Sequence, residues 1–106
     1  MRAISVPRPA GLDQLAQIEV EPRAPGHGEI QVAVKASSLN FHDYVVVTGL
    51  LPTDDGRIPM SDGAGVVTAV GEGVDDFAVG DKVLSCFFPN WLDGRPAYEK
   101  LLGVPG

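Results

Sequence analysis

The side chains of this sequence that could bind a metal through nitrogen or sulfur are few and scattered. Its two histidines and its one cysteine are His27, His42 and Cys86. Structural and catalytic zinc sites use such ligands at short, recurring spacings. These three residues have no ligand-like spacing, so the sequence does not favour a metal site built on histidine and cysteine.

A second candidate for chemistry is the glycine-containing stretch Gly63-Ala-Gly65-Val-Val-Thr68. A dinucleotide-binding loop needs a third glycine, and the chain that follows it opens a helix. Here the third glycine is missing and the apolar residues that follow continue as a strand. We therefore interpret these glycines as structural, at turns, bulges and close backbone approaches. No other stretch of the sequence supplies a dinucleotide fingerprint.

Asn40 precedes the one stretch with a helical pattern, and it is a good N-cap residue. Asp43, Tyr44 and Val47 lie on its face at i+3, i+4 and i+7, which predicts a short helix. The β-branched run 45–47 favours a strand instead, so tertiary contacts would have to override local propensity. We expect Asp43 to hold Asn40 or to cap the helix rather than to act in catalysis.

The remaining sequence predicts short strands that position these residues. Residues 30–36 and 16–20 alternate between apolar and polar side chains, as half-buried strands do. Residues 64–70 are apolar on nearly both faces, which predicts an enclosed strand, and 83–88 form a further apolar run. Glycine and proline, 13 and 9 residues, supply frequent turns. The fold class is therefore mainly β, a partly open barrel with one or two short helices.

Composition excludes several classes of function. A chain of 106 residues fits one domain, and its net charge of −6 without a lysine or arginine cluster makes nucleic acid an unlikely partner. No signal-peptide core and no apolar stretch of roughly 18 residues is present, and the lone cysteine is consistent with a reducing compartment. We expect a cytoplasmic protein with no membrane partner. The apolar residues 101–106 end in a turn signal, which we interpret as an interruption of the chain.

Four motifs in order carry a family resemblance: 25–29 before a strand, 35–43, 61–74 and 77–83. Together they resemble the N-terminal GroES-like domain of the medium-chain dehydrogenase/reductase superfamily, in its quinone oxidoreductase-like, zinc-independent branch. The resemblance runs over nearly the whole chain. It implies a GroES-like catalytic domain at residues 1–106, truncated at its C-terminal end, with the Rossmann domain absent.

The same resemblance implies a site. Zinc-dependent members hold a catalytic zinc partly through a Cys and a His of this domain, and Asn40 and Asp62 stand at the corresponding positions. An amide is a poor zinc ligand, so no metal is expected. Asn40, His42 and Asp62 become the candidate catalytic residues, and Asn40, Phe41 and His42 the cofactor-binding ones. His42 falls where relatives place a proton relay, although a partly exposed surface histidine is an equal alternative.

The implied activity is hydride transfer from NADP or NAD to a quinone, an activated alkene or a carbonyl, without zinc. The cofactor would be bound mainly by the missing domain, the fragment alone would be inactive, and the full-length protein would be a homodimer with a small-molecule substrate. Two alternatives stay open: a zinc-dependent alcohol dehydrogenase fragment with substituted ligands, and a chaperonin-10-like binding module. Phe87, Phe88 and Trp91 could line a pocket or close the barrel.

Overall fold

The computed structural model describes all 106 residues as two small antiparallel sheets and one α-helix, which lies in sequence between the first two strands of the second sheet. The first sheet is a two-stranded hairpin, and the second has the order β3-β4-β5. The two sheets do not close on each other, which confirms a mainly β, partly open barrel. The elements are β1 (Arg2–Ser5), a 3-10 turn (Leu12–Gln14), β2 (Ala16–Glu19), β3 (Ile30–Ala36), α1 (Phe41–Val47), β4 (Ala64–Val70), β5 (Lys82–Leu84) and a second 3-10 turn (Tyr98–Leu101).

The strands predicted over 16–20, 30–36 and 64–70 are present. β3 and β4 have the predicted bounds, and β2 ends one residue before the predicted 20. The predicted strand over 83–88 is wrong in extent, because β5 ends at Leu84. Beyond it the Ser85 amide still donates to the Gly63 carbonyl at 2.9 Å, and the chain then turns away. β4 is enclosed only in its first half, since Thr68 and Val70 are exposed. β1 was not predicted.

Gly65 lies where β4 passes closest to β3. A Cβ atom at this position would overlap the carbonyl oxygen of Ala33 on the neighbouring strand. Only glycine allows this approach, as the sequence interpretation of these glycines expected. The β3–β4 register also shifts between Val34 and Ala36, which is a local bulge that bends the pair just before the chain leaves the sheet.

The core of the domain is small, and its apolar members come from three separate parts of the chain. Seven residues are buried, and the apolar ones are Val6 after β1, Val46 in α1 and Val67 in β4. The hairpin is tied to the rest of the backbone at one isolated bridge, where the Val6 amide donates to the Arg57 carbonyl at 2.8 Å. None of the helices has the length and apolar character that a bilayer-crossing segment requires.

Candidate functional site

Asp43 fixes the start of α1. Asp43 is only 3% exposed, and one of its carboxylate oxygens accepts a hydrogen bond from the backbone N–H of Asn40 at 2.7 Å. The other oxygen accepts from the Ser61 amide at 2.9 Å. Asp43 therefore caps the helix from its third position and ties that helix end to the turn before β4. This agrees with the supporting role expected for Asp43.

Asp62 lies beside Asn40 and is surrounded by hydrogen-bond donors. Its carboxylate accepts from the Ser38 amide at 2.8 Å, the Ser38 hydroxyl at 2.5 Å, the Ser37 hydroxyl at 3.0 Å and the Asn40 side chain at 3.1 Å. These bonds, those from Ser38 first, hold the pKa of the Asp62 carboxyl well below its ordinary range. Asp62 is therefore an ionised acceptor at neutral pH.

Asn40 is exposed, with an extended backbone as N-cap of α1. Its side-chain nitrogen Nδ2 donates to Asp62 Oδ2 at 3.1 Å and also to the Ser38 carbonyl oxygen at 3.2 Å. The structure thus brings together Asn40 and Asp62, which lie 22 residues apart in the sequence. By the family resemblance, both stand at positions where zinc-dependent members have metal ligands. Ser37 and Ser38 were missed by sequence reasoning, although a pair of hydroxyls directly before Leu39-Asn40 was a usable signal.

His42 and Phe41 lie on other parts of the helix start. The His42 ring is half-buried, meets the edge of Phe87 at a centroid distance of 5.1 Å, and places Nε2 3.4 Å from the Gly106 carbonyl oxygen. It makes no hydrogen bond to Asn40 or Asp62. Phe41 is 77% exposed, and its ring stacks on that of Tyr44 with 6.1 Å between the ring centroids. The candidate residues therefore divide into an Asn40–Asp62 pair and a separate His42 position.

An aromatic row runs away from His42. Phe87 contacts Phe88 at a centroid distance of 4.7 Å, and Phe88 contacts Trp91 at 5.7 Å. The row is partly exposed, so it is neither a closed core nor an enclosed pocket. Of the two interpretations the sequence left open, the structure therefore matches neither fully. Its position beside His42 was not predicted, because it depends on contacts between residues about 45 positions apart.

An apolar cavity of about 420 Å³ lies between the β1–β2 hairpin and α1. Asn40, Asp43 and Tyr44 are the only side chains with oxygen or nitrogen atoms on its wall. Met60, one of its apolar residues, has a φ of 91°, the only residue other than glycine in the left-handed region. The other apolar lining residues are Ile4, Leu12, Leu15, Leu39, Val47 and Pro59.

The donor groups at this site differ from those that a zinc ion requires. The Asn40 side chain offers a metal only an amide oxygen, and Asp62 Oδ2 already accepts two hydrogen bonds. No group of three His, Cys, Asp or Glu side chains lies close enough together to share a metal ion. The residues present therefore do not fit a tetrahedral zinc site of nitrogen and sulfur ligands.

Residues 26–106 match the family described as "Alcohol dehydrogenase GroES-like domain". A zinc-type alcohol dehydrogenase-like protein of Schizosaccharomyces pombe is 46% identical over 90 residues, which cover 82% of this chain and 26% of the relative. A mycocerosic acid synthase-like polyketide synthase of Mycolicibacterium smegmatis is 49% identical over 80 residues, 74% of this chain and 4% of that protein.

Solved structures give the same picture. Escherichia coli quinone oxidoreductase complexed with NADPH aligns with a TM-score of 0.74 and 33% identity, over 79% of this chain and 26% of that one. A cobalt- and zinc-bound alcohol dehydrogenase of Pyrobaculum aerophilum aligns with a TM-score of 0.73 and 39% identity, over 79% of this chain and 25% of that one. The apo form of the JamJ enoyl reductase aligns with a TM-score of 0.69 and 26% identity, over 79% of this chain and 28% of that one. The chain spans about a quarter of the length of these three proteins.

Proposed function

This chain belongs to the alcohol dehydrogenase GroES-like domain family of the medium-chain dehydrogenase/reductase superfamily, and from that premise we propose its function. We infer that it is the catalytic-domain portion of an NAD(P)H-dependent oxidoreductase. Its substrate is a quinone, an activated alkene or a carbonyl, reduced by hydride transfer without zinc. The similarity to a quinone oxidoreductase and to an enoyl reductase supports the first two substrate classes.

The observation that carries this proposal is the hydrogen-bonded pair of Asn40 and Asp62, 3.1 Å apart. In the resemblance described above, this pair stands where zinc-dependent members hold their metal. An amide oxygen, which is a weak zinc ligand, beside a carboxylate that already accepts several hydrogen bonds is a poor donor set for that ion. Recognition of the substrate then falls to hydrogen bonds and to apolar contact.

The residues at the start of α1 are proposed to meet the cofactor. A reduced nicotinamide, when bound, supplies the hydride. Phe41 is largely exposed and Asn40 is exposed beside it, so both can contact a flat ring placed against the helix start. His42 is proposed to hold the proton that completes the reduction, on a ring held in place by Phe87. Most contacts to the cofactor are assigned to a nucleotide-binding domain outside residues 1–106.

A zinc-dependent alcohol dehydrogenase is the second candidate. The specific observation in its favour is the 39% identity to the cobalt- and zinc-bound enzyme of Pyrobaculum aerophilum, which exceeds the 33% to the quinone oxidoreductase and the 26% to the enoyl reductase. The two candidates differ in one measurable property, the dependence of activity on a bound metal ion. For either candidate we propose a homodimeric cytoplasmic protein acting on a small molecule.

The test uses a protein in which these 106 residues are joined to a nicotinamide-binding domain. Purified protein is treated with a chelator, its zinc content is measured, and NADPH oxidation is followed with a quinone, an enone and a ketone. We expect activity to survive chelation. Asn40→Ala should lower kcat/KM by about two- to tenfold, the value of one hydrogen bond from the carboxamide of the cofactor, and Asp75→Ala, in an exposed loop, should not. Activity that is lost on chelation and restored by zinc would establish the second candidate.

The isolated 106 residues provide a further arm of the same test. Because most cofactor contacts are assigned elsewhere, we expect these residues alone to show no turnover and no binding of NADPH at micromolar concentration. Micromolar binding of NADPH or turnover by residues 1–106 alone would contradict the proposal that most cofactor contacts lie in a separate nucleotide-binding domain.

A further inference from the structure

We propose that Asp62 is a positioning residue that fixes the orientation of the Asn40 side-chain amide, so that Asn40 accepts a hydrogen bond from a ligand but does not donate one. The orientation follows from contacts within the chain. Only the statement that a ligand meets Asn40 rests on the proposed function.

The orientation of the amide is determined by its two neighbours. Nδ2 of Asn40 lies 3.1 Å from Asp62 Oδ2 and 3.2 Å from the Ser38 carbonyl oxygen. A carbonyl oxygen and an ionised carboxylate can only accept hydrogen bonds. If the amide turned by half a rotation, its own oxygen would face these two acceptors with no proton between them. One orientation is therefore strongly favoured over the other.

Asp62 is itself held in place, so it can act as a fixed reference. The Ser38 amide and hydroxyl donate to its two oxygens, and the Ser37 hydroxyl donates to Oδ1 at 3.0 Å. The Asn40 backbone is fixed independently, because its backbone N–H donates a hydrogen bond to the buried carboxylate of Asp43. Both ends of the Asn40–Asp62 bond are therefore anchored, and rotation of the amide would have to break bonds on both sides.

The consequence concerns what a ligand must bring. Both Nδ2 hydrogens are used, so the atom of the exposed Asn40 side-chain amide that remains able to bond a ligand is the oxygen Oδ1, which faces the Asp43 backbone N–H in the capping box and keeps one lone pair for a ligand. A ligand gains a hydrogen bond here only if it carries an O–H or N–H group, as a hydroquinone hydroxyl or a carboxamide does. A bare carbonyl gains none, so polarisation of a substrate carbonyl falls to another group.

The orientation is tested by NMR on the 106-residue chain labelled with ¹⁵N-asparagine. The chain has two asparagines, and Asn90, whose Nδ2 donates to the Leu102 carbonyl, is an internal control for folding. Asp62→Ala should speed solvent exchange of the Asn40 side-chain protons about three- to tenfold. Asp62→Asn, which keeps an acceptor oxygen, should give a smaller increase. Asp81→Ala, which removes a carboxylate bonded to the Ala78 amide, should give none.

Exchange of the Asn40 protons that is equally fast in the wild type and in Asp62→Ala, with the Asn90 signals unchanged, would overturn the orientation. The acceptor role is tested by titration with hydroquinone and with its dimethyl ether, which lacks the O–H groups. We expect hydroquinone to shift the Asn40 signals and to bind about three- to tenfold more tightly. Equal affinities, or no response of Asn40 to hydroquinone, would refute it. Neither readout requires turnover, so an inactive enzyme would defeat the proposed function and leave this inference standing.

Discussion

Replacement of Asp43 tests whether one buried carboxylate organises the site. Asp43 is 3% exposed and accepts hydrogen bonds from two backbone amides, those of Asn40 at 2.7 Å and Ser61 at 2.9 Å. Asp43→Ala removes both acceptors and leaves two amides without their partners. Asp43→Asn keeps one acceptor oxygen, and its NH₂ group must face an amide that also donates.

The magnitude follows from the number of bonds lost. A hydrogen bond to a charged group contributes about 1.5–3 kcal/mol, so two such bonds amount to about 3–6 kcal/mol for Asp43→Ala. Asp43→Asn should lose about half of that. A domain of this size has a total free energy of unfolding of about 5–15 kcal/mol, so the alanine variant should lose a large part of its stability.

The assay is urea unfolding at pH 7, followed by Trp91 fluorescence and by far-UV circular dichroism. With an m value of about 1–3 kcal/mol per molar urea, the midpoint should fall by one molar or more in Asp43→Ala. If this variant is unfolded without urea, Asp43→Asn supplies the measurable intermediate. The control is Asp54→Ala, whose side chain is 100% exposed and which should change stability by no more than about 0.5 kcal/mol. An Asp43→Ala protein as stable as this control would refute the reasoning.

Two further predictions concern stability. The Arg23 hydrogen bond and the Gly26 amide lower the pKa of the Glu29 carboxyl from 4.5 to about 2, so the stabilisation it provides is complete above pH 4.5 and is lost as the pH falls through 2. Carboxyl ¹³C shifts should show this midpoint, and an unchanged midpoint in Arg23→Ala would contradict the assigned cause. Gly65→Ala should destabilise the chain by about 1–3 kcal/mol or more, because its Cβ overlaps the Ala33 carbonyl. Gly63→Ala, where the nearest atom is 3.6 Å away, is the matched control for urea unfolding, and equal effects of the two would count against the close approach.

The sequence predicted those elements whose signal is local. β3 shows seven residues of alternation, and α1 begins at an N-cap that its own third residue supports, so both could be recognised without knowing their neighbours. β1 and the end of β5 depend on pairing with distant residues. Arg2 pairs with Glu19, and β5 ends where its partner β4 begins at Ala64, neither of which is encoded within the strand itself.

The site was predictable to a similar degree. The family resemblance implied that Asn40 and Asp62 stand where two ligands of one metal ion would be, but the hydrogen bond between them was not predicted. The serine hydroxyls that complete the carboxylate's shell were not predicted, since serine in a loop is common and its partner lies 24 or 25 residues away. His42 is separated from that pair because α1, a helix of seven residues, turns one face toward the interior. The burial of Asp43 and Val46 determines which face that is.

The single bridge at Val6 has a consequence for motion. The hairpin is joined to the rest of the chain there by two backbone hydrogen bonds, and Arg8 adds hydrogen bonds to Thr53 and Asp55, so its release would have to break these contacts but none of the β3–β4–β5 ladder. The contacts between Asn40, Asp62 and Ser38 all lie on the ladder side of this joint. Transient release of the amino-terminal strands would therefore widen the apolar cavity beside the helix while the amide and carboxylate keep their mutual geometry.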